Sequence, residues 1–235
     1  MAVNYYSRMR FITNLMPQIH AAGVNKETSR VITVLAAGSE ADIRMDDLGL
    51  QHNFTLHAAL AHCVVMTDFM VEELSKKYPY TAFSHSYPGT IKTGIANELG
   101  GPARLAVKVL YAVMTPWILD VQESGERHVF QITSAVYPSR HGGVGVPPPN
   151  GMEPVEGIDG IKGSGAYLLD WDGKATSDQN ILAKYRAMNA GQKIWDHTME
   201  TFARSNRAKR PAETEAEGSG RPPPTAPNLA GWRAG

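Results

Sequence analysis

The residues most suited to chemistry lie in one stretch, Phe83-Ser84-His85-Ser86-Tyr87-Pro88-Gly89-Thr90-Ile91-Lys92-Thr93. A short apolar strand that runs into Pro-Gly, with a threonine close behind, is one way a cofactor site begins, although Pro-Gly also ends strands that bind nothing. A dinucleotide site needs more, because the pyrophosphate must meet backbone N–H groups of a glycine-rich turn and the N-terminus of the helix that follows. No such turn precedes Asn4, and Gly142-Gly143-Val144-Gly145 leads into Pro147-Pro148-Pro149 instead of a helix. Other chemistries find less support. Eight histidines and one cysteine give no His-x-x-x-His on a predicted helix and no Cys-x-x-Cys, so no metal site is expected. Gly163-Ser164-Gly165 is not the Gly-x-Ser-x-Gly of a hydrolase elbow.

The elements that position Pro88-Gly89 follow from periodicity. From Ala2 to about Ala22, Phe11, Leu15 and Ile19 recur at helical spacing beside Ile12 and Met16, and Gly23 ends the run. Arg30 to Ala37 is a β-branched, apolar run without polar alternation, as expected for a strand covered on both faces and stopped by Gly38-Ser39. Thr55 to Lys77 reads as a second long helix closed by Tyr78-Pro79, and Asp46-Asp47 before it as a solvated turn. Ala82 to Ser86 is the strand that ends at Pro88-Gly89. A third helix is predicted after Pro102, with Leu105, Val109, Leu110, Val113 and Trp117 on one face and Pro116 bending or ending it. Residues 142–165 hold too much Gly and Pro for regular structure and read as a loop or insertion. Ala166 to Leu169 is a third strand and Asp178 to Phe202 a final helix, and residues 204–235 lack apolar periodicity and read as a disordered tail. Helix and strand alternate, so the fold class is α/β with a parallel sheet, of which about three strands are visible in 1–203.

Composition narrows the function. Lys+Arg 23 against Asp+Glu 23 leaves no net field to draw nucleic acid or an anionic membrane. The single cysteine, Cys63, sits in an apolar stretch and reads as a buried core residue that suits a reducing compartment. No apolar run approaches the ~18 residues of a membrane span, and the N-terminal helix contains Arg8 and Arg10, so a cytoplasmic protein is expected.

Three segments carry a resemblance: Asn4-Tyr5-Tyr6-Ser7-Arg8, Asp46-Asp47-Leu48, and Gly165-Ala166-Tyr167-Leu168-Leu169-Asp170-Trp171-Asp172-Gly173. With the order helix, strand, helix, strand-Pro-Gly, they resemble the C-terminal half of a short-chain dehydrogenase/reductase, in a divergent branch common in fungal secondary-metabolite gene clusters. The resemblance covers about residues 2 to 202 and implies a truncated Rossmann-like, doubly wound parallel sheet with flanking helices. It implies an NADP- or NAD-dependent oxidoreductase acting on a carbonyl or alcohol of a small-molecule secondary metabolite, polyketide or terpenoid. Asn4 would hold a water in the proton relay, Pro88 and Gly89 would lie against the nicotinamide, and Thr93 would bond its carboxamide or the cofactor phosphates. The helices Ala2–Ala22 and Thr55–Lys77 would form a homo- or hetero-oligomer interface.

The chain also departs from that family. Its chemistry needs a Tyr-x-x-x-Lys on one helical face and a serine. No tyrosine lies between Tyr6 and Tyr78 and no lysine between Lys26 and Lys76, and the two positions fall on about Leu56 and Leu60. The serine position falls on about Ala36 or Ala37, with Ser39 nearby as either a substitute or a turn residue. His62, and less so His57, could supply acid–base chemistry or serve as hydrogen-bonded structural groups. The resemblance places Met1 well inside a complete member, by a late gene-model start or a real truncation. Alternatives to the oxidoreductase are an inactive remnant or partner subunit, and a redox-independent isomerase or cyclase using His62 and Asn4. For the chain as it stands, no micromolar NADPH binding is expected, and the edge of Val31–Leu35, lacking a partner strand, should make it marginally soluble.

Overall fold

The computed structural model describes residues 1–91, 100, 101, 105, 118–149 and 151–218, with side chains described to residue 207. Its centre is a three-stranded parallel sheet of β1 (Arg30–Val34), β2 (Ala82–Ser86) and β3 (Ala166–Leu169), in the order β1-β2-β3. In register, Thr33 faces His85 and Val34 faces Ser86, while Ser86 in turn faces Leu169. The expected fold class therefore holds, a truncated Rossmann-like α/β sheet flanked by helices. Fully buried β2 is the middle strand, and β1 forms an edge along which Val31, Ile32 and Val34 are only half-buried.

A π-helical turn, Ala2–Tyr6, leads into α1 (Ser7–Val24). The buried side of these turns is Tyr5, Met9, Ile12 and Met16, so the stripe that faces the core is offset from the one the spacing of Phe11 and Leu15 predicts. Those two are 70% and 50% exposed. Helix α2 (Leu56–Lys77) is capped by Thr55, whose hydroxyl accepts from Ala58 N at 3.1 Å. From Ala61 to Glu72 every residue of α2 is buried, which follows from its apolar composition on all faces and makes it the central helix. Expected Cys63 burial is met there.

The connection 35–55 has no regular structure and is held by side chains. Tyr185 Oη accepts from Ile43 N at 2.7 Å, and the Asp47 carboxylate accepts from Gln51 N, His52 N and Asn53 N. Helix α3 (Val121–Thr133) escapes the sequence reading because it is patterned the wrong way round, with Ser124 and Gln131 buried and Val121 and Val129 exposed. Asp120 caps it, accepting from Gln122 N. The helix predicted after Pro102 lies outside the described residues apart from single positions. The loop 142–165 is irregular, crossed only by isolated bridges such as Ser134 with Val146 and Glu156 with Lys162.

The predicted final helix is two. Helix α4 (Gln179–Ala187) begins at Asp178, whose carboxylate accepts from Asn180 N and Ile181 N, and the chain turns at Asn189, in the left-handed region at φ 55°, before α5 (Ala190–Gly218). Residues 1–197 form one compact unit, and α5 continues from Thr198 into a second. Residues 219–235 of the expected tail lie outside the described residues. Among the described residues, no helix is long and apolar enough to cross a membrane.

Candidate active site at the carboxyl ends of the strands

Open parallel sheets bind ligands beyond the carboxyl ends of their strands, since the loops there diverge. In this chain that edge carries the turn after β1, Pro88-Gly89 after β2 and Trp171 after β3. The adjacency is fixed by the ladder itself, with Leu35 N donating to Ser86 O and Tyr87 N to Leu169 O, at 2.9 and 2.8 Å. Beyond the ends of β2 and β3, beside α3, lies a cavity of about 470 Å³ lined by Tyr87, Gly89, Thr90, Ile118, Leu119, Glu123, Arg127 and Trp171.

Gly89 is required here. Its φ is +83°, and a Cβ at this position would stand 2.2 Å from Leu119 Cδ1 and 3.1 Å from Trp171 Cβ. The turn is anchored by Leu119 N, which donates to Thr90 O at 2.9 Å, and by Ser124 Oγ on α3, which donates to Pro88 O at 3.3 Å. The cavity is lined by an aromatic wall with polar groups at fixed places. Arg127 lies 4.5 Å over the Trp171 ring and pairs with Glu123, and the Tyr87 hydroxyl is 3.2 Å from Thr90 Oγ1.

The other described residues singled out from sequence do not line that cavity. Asn4 is exposed in the π-helical turn, one turn before Arg8, whose guanidinium donates to Val34 O at the end of β1. Ser39 is exposed on the turn after β1, its N–H donating to Ala36 O at 3.2 Å. His62 is fully buried, and both ring nitrogens meet backbone: Nε2 accepts from Arg44 N at 3.0 Å and Nδ1 donates to Leu48 O at 3.3 Å. Burial lowers its pKa, so the ring is held neutral as a clamp on the 44–48 loop. His57 is exposed on the first turn of α2. Thr93 lies outside the described residues.

Leu56 and Leu60, at the positions where the family would place tyrosine and lysine, are 83% and 48% exposed on one face of α2. Neither can transfer a proton. The hydroxyl-bearing residues that do line the cavity are Tyr87 and Thr90, which lie in the stretch singled out from sequence but were given no role there. Arg127 and Glu123 were invisible for a different reason, since the helix that presents them has no apolar core stripe to betray it.

The strand ends fit one end of a nicotinamide dinucleotide and not the other. A glycine turn free of side chain, with the Tyr87 and Trp171 rings among the lining, suits a flat ring. Among the described residues the helix N-terminus at the cavity is that of α3, and it carries Asp120 as its cap and Glu123 in its first turn, which repel phosphate. Among the described residues no glycine-rich strand-to-helix turn supplies a phosphate cradle, and no cluster of side chains could hold a metal ion.

No family model matches the chain, and no solved structure does. Curated proteins do. The chain is 44% identical over 201 residues to oxidoreductase AN1596 of Emericella nidulans, covering 84% of this chain and 59% of that one. It is 31% identical to oxidoreductase andH of Emericella variicolor over 88% of this chain and 61% of the relative. Against the short-chain dehydrogenase/reductase SAT2 of Stachybotrys chartarum it is 26% identical, over 84% and 56% respectively. It thus spans about three-fifths of the length of the relatives it matches. With the parallel sheet and the Pro-Gly strand end, these matches support a chain similar to fungal oxidoreductases of a short-chain dehydrogenase/reductase-like branch.

Proposed function

We propose that this chain supplies the nicotinamide and substrate wall of an NADP- or NAD-dependent oxidoreductase that interconverts a carbonyl and an alcohol of a small secondary metabolite, a polyketide or terpenoid. The observation that carries the reading is the cavity at Pro88-Gly89, where a glycine at φ +83° is enclosed by Leu119 and Trp171. A bound nicotinamide supplies hydride chemistry. The chain's own residues do the rest: Gly89 admits the ring against the backbone, Trp171 and Leu119 exclude water, and the Tyr87 and Thr90 hydroxyls present hydrogen-bonding groups to a substrate oxygen. In this reading Asn4 and Ser39, both exposed, order water for the proton transfer.

The phosphates have no matching floor among the described residues, so this reading predicts two separable results. Reduced nicotinamide mononucleotide receives saturation transfer from the protein at its ring protons, and Gly89→Val removes it. NADPH shows no micromolar affinity by calorimetry. Micromolar NADPH binding would refute the phosphate reading, and absent ring contacts would refute the wall.

A second reading is favoured by the leucines on α2. Their apolar, exposed side chains, with Phe11 and Leu15 on α1, suit a partner-binding face, and the chain would then act as a subunit beside another copy or a full-length relative. Sedimentation of the pure chain at rising concentration tests it, and a strict monomer would refute the homo-oligomer.

A further inference from the structure

Beneath the turn after β1 lies a polar cluster that the proposed chemistry does not use. Asp68 on α2 and His85 on β2 are both fully buried, with Asp68 Oδ1 2.5 Å from His85 Nδ1. The other ring nitrogen, Nε2, accepts from the backbone N–H of Ala36 at 3.1 Å. An imidazole nitrogen that accepts from an amide carries a lone pair and no proton, so the proton of the neutral ring sits on Nδ1 and points at Asp68. The two contacts together allow one tautomer.

That bond begins where the sheet ladder stops. Leu35 N is bonded to Ser86 O, the last main-chain rung between β1 and β2, and the next amide, Ala36, is taken over by the His85 side chain. The turn is then fastened a second time. Glu40 accepts from Gly38 N at 2.9 Å through one carboxylate oxygen and from Asp178 N at 2.8 Å through the other, joining the turn to the cap of α4. Gly38 packs at φ +85° where a Cβ would meet Thr176 Oγ1 at 2.5 Å. Ser39 is left outward on a turn whose amides are tied from within.

We propose that His85, oriented by Asp68, is a positioning residue: it fixes the Ala36–Ser39 turn at the carboxyl end of β1 and so sets where Ser39 stands relative to Pro88-Gly89. The charged group that faces it is Asp68 from α2; Glu40 of the turn acts on the Asp68 carboxyl, and Arg8 from α1 holds Val34 O at the end of β1. Protonating Nε2 would break the Ala36 bond. Asp68 Oδ2 has no hydrogen-bond partner and is the free place for an added proton on the carboxyl.

The test begins on the wild-type chain by ¹⁵N NMR. His85 should show a protonated Nδ1 and a bare Nε2, with scalar coupling across the bond from Ala36 N–H. A protonated Nε2 or absent coupling would overturn the proposal. His85→Phe should then raise hydrogen exchange at the Ala36 amide by about tenfold, the equivalent of one lost hydrogen bond, while Phe83 and Tyr87 amides stay as they were. His85→Gln, whose Oε1 reaches the place of Nε2, should restore protection. Equal exchange at Ala36 in all three proteins overturns the proposal, and if His85→Phe loosens the whole sheet the wild-type tautomer and coupling decide. The effect on the site rests on the function proposed above: reduced nicotinamide mononucleotide contacts should weaken in His85→Phe and return in His85→Gln. Absence of those contacts in the wild type would refute the function alone, because tautomer and exchange are read without ligand.

Discussion

Substituting Asp68 by asparagine should change how the fold responds to pH more than how stable it is at any single pH. Burial is the main cause that raises the Asp68 carboxyl from 3.8 to about 6, against the pull of His85 and with Glu40 adding to the rise. A rise of about two pH units is worth about 3 kcal/mol between the protonation states. The folded chain holds this proton more tightly than the unfolded chain, so the contribution is present in full below about pH 4 and is lost as pH climbs through 6. The amide side chain of the Asp68→Asn variant keeps an oxygen to accept from His85 Nδ1 and cannot ionise. Its NH₂ group leaves an unpaired donor at the place of Oδ2, a constant cost of about 1–3 kcal/mol that does not vary with pH. Urea unfolding of both proteins at intervals from pH 4 to 7.5 isolates Asp68 and the groups coupled to it, because titrating groups that do not interact with Asp68 cancel in the difference. The stability of Asp68→Asn relative to wild type should improve by about 2–3 kcal/mol from pH 4 to 7. A difference flat to within about half a kcal/mol, or one moving the other way, would refute the assignment of the added proton to a desolvated Asp68.

Three further outcomes follow from the same coordinates. Gly89→Val forces a β-branched side chain into the left-handed region and into Leu119, so it should cost several kcal/mol by thermal unfolding, about 1–3 from the backbone alone; an unchanged melting temperature contradicts the enclosed turn. His62→Ala removes the acceptor for Arg44 N and the donor to Leu48 O, so proteolysis should cut first within 43–48, with about 1–3 kcal/mol lost per stranded group; uncut loop and full stability would return the histidine to the list of acid–base candidates. Ile32→Lys puts a charge on the half-buried edge strand β1 and should raise the monomeric fraction in gel filtration, as edge charges oppose strand addition; no change would show that the edge does not drive association.

The sheet was legible because β1 is a β-branched run and β2 and β3 are short runs bounded by Pro88-Gly89 and Gly165, and α2 because Thr55 caps it and Tyr78-Pro79 stops it. The parts that escaped are those where local pattern and environment disagree. Helix α3 buries Ser124 and Gln131 and exposes valines, so hydrophobic periodicity points away from it. On α1 the apolar residues occupy more than one face, and spacing alone favours Phe11 and Leu15 where packing chooses Met9, Ile12 and Met16. The break between α4 and α5 turns on one left-handed asparagine, Asn189. At the site, Pro88-Gly89 carried its meaning in the sequence because only glycine meets that φ and that proximity. Tyr87, Arg127 and Trp171 did not, since what joins them is the convergence of two strand ends and a helix distant along the chain. His85 looked like a strand residue until Asp68, seventeen positions earlier, was brought beneath it.

The most direct test of the central claim is a map of where reduced nicotinamide mononucleotide touches the folded chain, read from ¹H–¹⁵N shifts during a titration. The Gly89 and Thr90 amides and the Trp171 indole N–H should move together, while Gly142 and Gly143, beside the separate cavity of Tyr80 and His141, stay fixed. Shifts confined to that second cavity, or none at the Pro-Gly turn at saturating ligand, would contradict the assignment of this strand end as a nicotinamide wall.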